Sequence, residues 1–204
     1  MNVRMRWMRM TALSLLLGAL ILAVTSCAKK ESTTTTSETS SSTMSEQSKP
    51  AISDANIAAI VVTANNADVD NGKQALLKSK NDNVKGFAEQ MIKDHSSVND
   101  KATALATRLS LTPVDNETSN GLKAQQDSIR TVLKGKSGAA FNRGYIDNEV
   151  SYHQAVLDAL DQTLIPNAQN AELKQLLTDV RPVIAAHLEH AKQIQAGMSS
   201  TAAQ

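Results

Sequence analysis

The stretch 84–109, VKGFAEQMIKDHSSVNDKATALATRL, decides the fold. Its apolar residues Val84, Phe87, Met91, Val98, Ala102, Leu105 and Leu109 recur by threes and fours, the period of one buried helical face. One polar residue, His95, stands on the same stripe between Met91 and Val98. Upstream, the cluster Lys80-Asn81-Asp82-Asn83 breaks one helix and caps the next. Before it, Ile57, Ile60, Val61, Ala64, Ala67 and Ala75, with Leu76 and Leu77 at the end, mark a first helix that Ser53 or Asp54 can cap. Downstream, Pro113 and its polar neighbours form a longer connection.

A shorter helix is expected from Thr118 to Leu133, ending at Gly135. Ser137 or Gly138 starts a further one through Phe141, Tyr145, Ile146, Val150, Val156, Leu157, Leu160 and Leu164. Pro166-Asn167 reads as its closing turn. The last helix carries Leu173, Leu177, Val180, Ile184, Leu188, Ala191 and Ile194. Four of these helices are long, about 25 residues or ~40 Å each. Short turns join the first to the second and the last two to each other. The predicted fold class is therefore all-α, a four-helix bundle with a short extra crossover helix, the connectivity of ferritin-like folds. Aromatic residues make up only 2% of the chain. A core of Ala, Leu, Val and Ile suits close-packed helices better than a sandwich.

The first fifty residues read differently. Arg4, Arg6 and Arg9 precede an apolar run from Ala12 to Val24, well short of the ~20 residues that span a bilayer. This is the pattern of a secretory leader. Val24-Thr25-Ser26-Cys27 resembles the lipobox of bacterial lipoproteins: an aliphatic residue, two small ones, then cysteine. The resemblance implies acylation of Cys27, cleavage before it, and stable anchoring by two or more acyl chains. Ala28 follows the cysteine where an inner-membrane retention aspartate would stand; the resemblance to lipoprotein sorting in Gram-negative bacteria implies the outer membrane, facing the periplasm. Ser and Thr dominate Ala28 to Pro50, which has no apolar period and reads as a disordered tether. The expected organisation is a signal peptide over 1–26, a tether over 27–51, a helical domain over 52–198 and a frayed tail over 199–204.

Charge and cysteine exclude some functions. The chain has 21 Lys and Arg against 20 Asp and Glu, and the leader removes three of the arginines. A slightly acidic mature chain lacks the basic face that nucleic acid requires. The expected partners are the membrane, through the lipid on Cys27, and an envelope protein. Cys27 is the one cysteine, so no internal disulfide forms. No Gly-x-Ser-x-Gly occurs, and Gly135-Lys136-Ser137-Gly138 lacks phosphate-loop spacing and reads as a helix break. Asn66-x-Asp68-x-Asp70-Asn71-Gly72 superficially resembles a calcium loop, but Leu77 stands where the bidentate Glu belongs. With no complete catalytic set, the first functional expectation is a non-enzymatic binding or structural module.

The second expectation is a transition-metal site. His95, His153 and His187 fall on the apolar stripes of different helices near mid-length. Carboxylates lie close in sequence: Asp94 beside His95, Glu149 four residues before His153, and Glu189 beside His190, which follows His187 by three. Folding the first helix back on the second brings Asp68 to the level of His95. Converging imidazoles and carboxylates are how helical bundles build metal sites. The candidate ligands are His95, His153, His187, His190, Asp68, Asp94 and Glu149. A di-iron oxidase is disfavoured, because no Glu-x-x-His occurs.

Three stretches carry a family resemblance: Phe87 to Asn99 (FAEQMIKDHSSVN), Phe141 to His153 (FNRGYIDNEVSYH) and Pro182 to Ala191 (PVIAAHLEHA). They resemble a large family of exported bacterial proteins, described as predicted outer-membrane or periplasmic proteins with a domain of unknown function. The resemblance covers about Ile52 to Gln195. It implies a ferritin-like fold and an envelope location, and no established reaction. Two positions depart from the family pattern: Asn142 stands where an aspartate is common, and Asp68 where a glutamate is common.

Overall fold

The computed structural model describes residues 52–201, and the leader, Cys27 and tether lie outside them. Helix α1 spans Asp54–Lys78, α2 Asp82–Arg108, α3 Glu117–Lys134 and α4 Gly138–Ala159. A π turn at Leu160–Leu164 and the short α5, Ile165–Asn167, extend α4, and α6 runs from Ala171 to Thr201. The last helix thus continues past 198, where a frayed tail was expected. Among the described residues every element is helical, and none is long and apolar enough to cross a membrane.

Local chemistry sets the helix ends. Ser53 caps α1: its Oγ accepts from the Asn56 N–H, and the Asn56 Oδ1 accepts from the Ser53 N–H. Asp54 does not cap. Its carboxylate accepts from the backbone N–H groups of Gln169 and Asn170, both at 2.9 Å, tying the start of α1 to the loop before α6. Asn81 caps α2 through the Val84 N–H, and Asn116 caps α3 through the Ser119 N–H. The 135–138 segment is a helix break as expected, with Gly138 at φ +52°.

The turn expected at Pro166-Asn167 lies further on. The chain stays helical through Asn167, and the reversal falls at residues 168–170. Proline crowds the carbonyl four residues before it, and the wider π turn lies directly upstream of Pro166. Asn170 then caps α6, its Oδ1 accepting from the Glu172 and Leu173 N–H groups.

Helix α1 packs mainly on α2, and α4 mainly on α6, while α3 crosses between the pairs along α1. This is a four-helix bundle with one long crossover. Gly72 permits the α1–α2 approach: a Cβ there would lie 2.9 Å from Ile92 Cγ1 and 3.0 Å from the Ala88 carbonyl oxygen. Leu77, by contrast, is 87% exposed and belongs to no stripe.

The core divides into two apolar halves. One gathers Ile57, Ile60, Val98, Leu105, Leu160 and Leu177, the other Ala75, Phe87, Met91, Phe141, Tyr145 and Ile194. Between them, at mid-height, lies a belt of buried polar side chains: Asn65 and Asp68 of α1, His95 of α2, Glu149 and His153 of α4, and His187 of α6.

Candidate metal centre

Each histidine of the belt sits on a stripe whose neighbours a turn away are apolar, so packing of the two core halves carries the imidazoles inward. His95, His153 and His187 are 3%, 1% and 1% exposed. Their ring centroids form a nearly equilateral triangle with sides of 5.7, 5.3 and 5.5 Å. One nitrogen from each ring can be chosen so that all three lie within 4.8 Å of one another.

The hydrogen bonds fix the tautomers. His95 Nδ1 donates to Asn65 Oδ1 at 2.7 Å, and His153 Nδ1 donates to the Glu149 backbone carbonyl at 3.0 Å. His187 Nε2 donates to Asp94 Oδ2 at 2.9 Å. The opposite nitrogens, His95 Nε2, His153 Nε2 and His187 Nδ1, are buried and have no partner. With the proton on the bonded side, each of these carries a lone pair. A buried acceptor without a donor costs stability, and three of them in one cluster need an explanation.

Carboxyl groups stand on the bonded side of every ring. Asp68 Oδ2 is 3.5 Å from His95 Nδ1, Glu149 Oε2 is 3.4 Å from His153 Nδ1, and Asp94 backs His187. Oxygens of Asp68 and Glu149 also come within 4.8 Å of each other and of a His153 nitrogen. Because these two carboxyls face the protonated edges, their place is behind the imidazoles, orienting them. Carboxyl–histidine pairs of this kind fix the ring and raise its basicity at metal centres.

Burial dominates the electrostatics. It pushes His153 down to about 4, and it lowers His95 and His187, with neighbouring histidines adding to the depression at His95. All three rings are therefore neutral near pH 7, the form that can coordinate a cation. Burial also pushes Glu149 up to about 8 and Asp68 well above the usual carboxylate range, the charge of Glu149 adding to the rise at Asp68. Burial thus disfavours the charged form at each of these five groups.

The structure brings five of the seven candidate residues into this belt, and a sixth, Asp94, backs His187 from the belt's edge, 29% exposed. His190 stands apart: it is half-buried one turn along α6, its Nδ1 3.0 Å from Gln90 Oε1 and its ring edge-on to Phe87. Sequence reasoning passed over Asn65, the direct partner of His95. It precedes Asp68 by three on α1, and that shared face was the available signal. It also passed over Tyr145, which is fully buried with an unpartnered hydroxyl that burial pushes well above its ordinary range.

Fold and site together define an all-α bundle with a histidine cluster held between two apolar half-cores. The chain belongs to the family described as "Domain of unknown function (DUF4142)", whose family model matches residues 38–194. No curated protein matches it. A solved structure described as "CopM in the Cu(II)-bound form" is similar, with a TM-score of 0.57 and 16% identity, over 71% of this chain and 97% of that one. At that identity the likeness is one of fold.

Proposed function

We propose that the domain binds one transition-metal ion through His95 Nε2, His153 Nε2 and His187 Nδ1. The observation that carries this reading is the pairing at each ring: one nitrogen bonded to the protein and the other buried without a partner, in three rings that each offer a nitrogen within 4.8 Å of the others. A metal would satisfy all three orphan acceptors at once. Zn–N bonds run ~2.0–2.1 Å, so ring nitrogens already within 4.8 Å need only a small contraction. Imidazole without thiolate suits copper or zinc. The fold neighbour described as bound to Cu(II) favours copper as the first ion to test. Asp68, Asp94 and Glu149 act from behind the rings, and three protein ligands leave room for a fourth from outside. Elemental analysis of full-length protein purified without chelator tests this: about one copper or zinc per chain is expected, and trace metal in wild type and in the three-histidine variant alike refutes it.

The same reading places the domain in the cell envelope. The support is the Arg4, Arg6, Arg9 leader, the apolar run and the Val24-Thr25-Ser26-Cys27 box, with lipid on Cys27 as the anchor. On this account the protein is a lipid-anchored metal-binding module at the outer membrane. The envelope-protein partner expected from sequence would then be a donor or acceptor of that metal.

A further inference from the structure

Directly beside the histidine belt, on the side of the Ile57–Leu177 half-core, the bundle holds a cavity of about 110 Å³. Three of its wall residues stand one helical turn from the three histidines. Val98 follows His95 by three, Val156 follows His153 by three, and Ile184 precedes His187 by three, all among the cavity's lining. Ile60, Leu160 and Leu164 also line it, the last two supplied by the π turn. A π turn widens a helix locally and recurs at functional sites.

The walls carry no charged side chain. Of the polar residues on the histidine side, Asn65 is already committed, its amide to the Val61 carbonyl and its Oδ1 to His95. The Tyr152 hydroxyl donates to the Ala64 carbonyl at 3.2 Å. The exposed part of its lining, Thr118, Gln125 and Ala155 with half-buried Ala159, lies on α3 and α4. Apolar cavities of about 150 Å³ stay dry and take up benzene or xenon.

We propose that this cavity is a binding site for a small, uncharged, apolar molecule no larger than a single ring, admitted between α3 and α4. Its position would put that molecule one helical turn from the histidines that would hold the metal. That placement rests on the metal reading, whereas the cavity does not, so the test uses metal-free full-length protein.

Thermal unfolding is followed with and without saturating benzene, and xenon-129 NMR is recorded on the same protein. Two single variants, Ala64→Leu and Ala159→Leu, fill the cavity from different walls. Wild type should gain roughly 2–6 °C in Tm with benzene and should shift and broaden the xenon resonance. Each folded filled variant should lose both effects. No benzene shift and an unperturbed xenon line in wild type would overturn the proposal, as would equal responses in wild type and either filled variant. Benzene binding by a chain that takes no metal would leave the cavity standing and defeat the metal reading alone.

Discussion

His187 Nε2 lies 2.9 Å from Asp94 Oδ2, and that bond leaves the buried Nδ1 with its lone pair free. Asp94 is 29% exposed, so it can be changed with little disturbance of the core. Asp94→Ala removes the acceptor that selects this tautomer. Metal affinity should fall about 10- to 100-fold, the usual cost of losing an orienting partner behind a ligand. Asp94→Asn retains an acceptor and should fall between. Isothermal titration of the three proteins checks the order, and equal affinities would remove Asp94 from the account.

The metal-free belt predicts an unusual pH dependence of stability. Glu149 rises from its ordinary 4.5 to about 8 on folding, so between those values the folded chain holds the extra proton. Stability is therefore lost as pH rises through that window, and Asp68 acts in the same direction. His153 falls from 6.5 to about 4, so there the unfolded chain binds more protons and stability is lost as pH falls. His95 and His187 follow His153. The opposing effects offset one another between 4.5 and 6.5, and above 6.5 the carboxyls act alone. Urea midpoints of metal-free protein should decline from pH 6.5 to 8, and Glu149→Gln should flatten that decline. A midpoint that climbs over the same range in wild type would contradict the assignment.

Gly72→Ala tests the close packing of α1 on α2. Alanine favours the helix by about 1 kcal/mol over glycine. Its methyl, however, would meet Ile92 and the Ala88 carbonyl at 2.9 and 3.0 Å, and a backbone oxygen yields poorly. Overpacking of this kind costs about 1–3 kcal/mol, so the variant should be destabilised on balance. A higher urea midpoint would show that the helices separate freely at this point.

The helices and the inward histidines were legible in sequence because both follow the 3.6-residue period: His95 continues Met91 toward Val98, as His153 continues Val150 toward Val156. The pairing of Asp68 with His95 followed from the short turn around Asn81, which fixes the register of α1 against α2. Less was legible where contacts join helices distant in sequence. The Asn65–His95 bond, the choice of free nitrogen on each ring and the Asp94–His187 pair depend on side-chain rotation across the bundle. At Pro166 the local rule favoured a turn, but the preceding π turn carries the helix past the proline. His190 has the same residue type as His187 and lies only three positions away, yet Gln90 engages it instead.

Anchoring can be tested apart from the metal. Cys27→Ser removes the thiol that would take lipid and leaves the apolar run intact, so export should continue. Wild type should incorporate labelled palmitate and fractionate with membranes. The variant should take up no label and either persist with its leader attached or be released by another cut. Equal labelling of both proteins would defeat the lipoprotein reading.

The most direct measurement is a copper(II) and zinc(II) titration of metal-free full-length protein and four single variants, with circular dichroism confirming that each is folded. Wild type should bind one equivalent. His95→Ala, His153→Ala and His187→Ala should each weaken binding more than about 100-fold, a larger loss than the removal of an orienting neighbour. His190→Ala should bind as wild type does, because His190 bonds Gln90 outside the triangle. One tight equivalent retained by all three triad variants, or lost only in His190→Ala, would contradict a centre built on the three buried imidazoles.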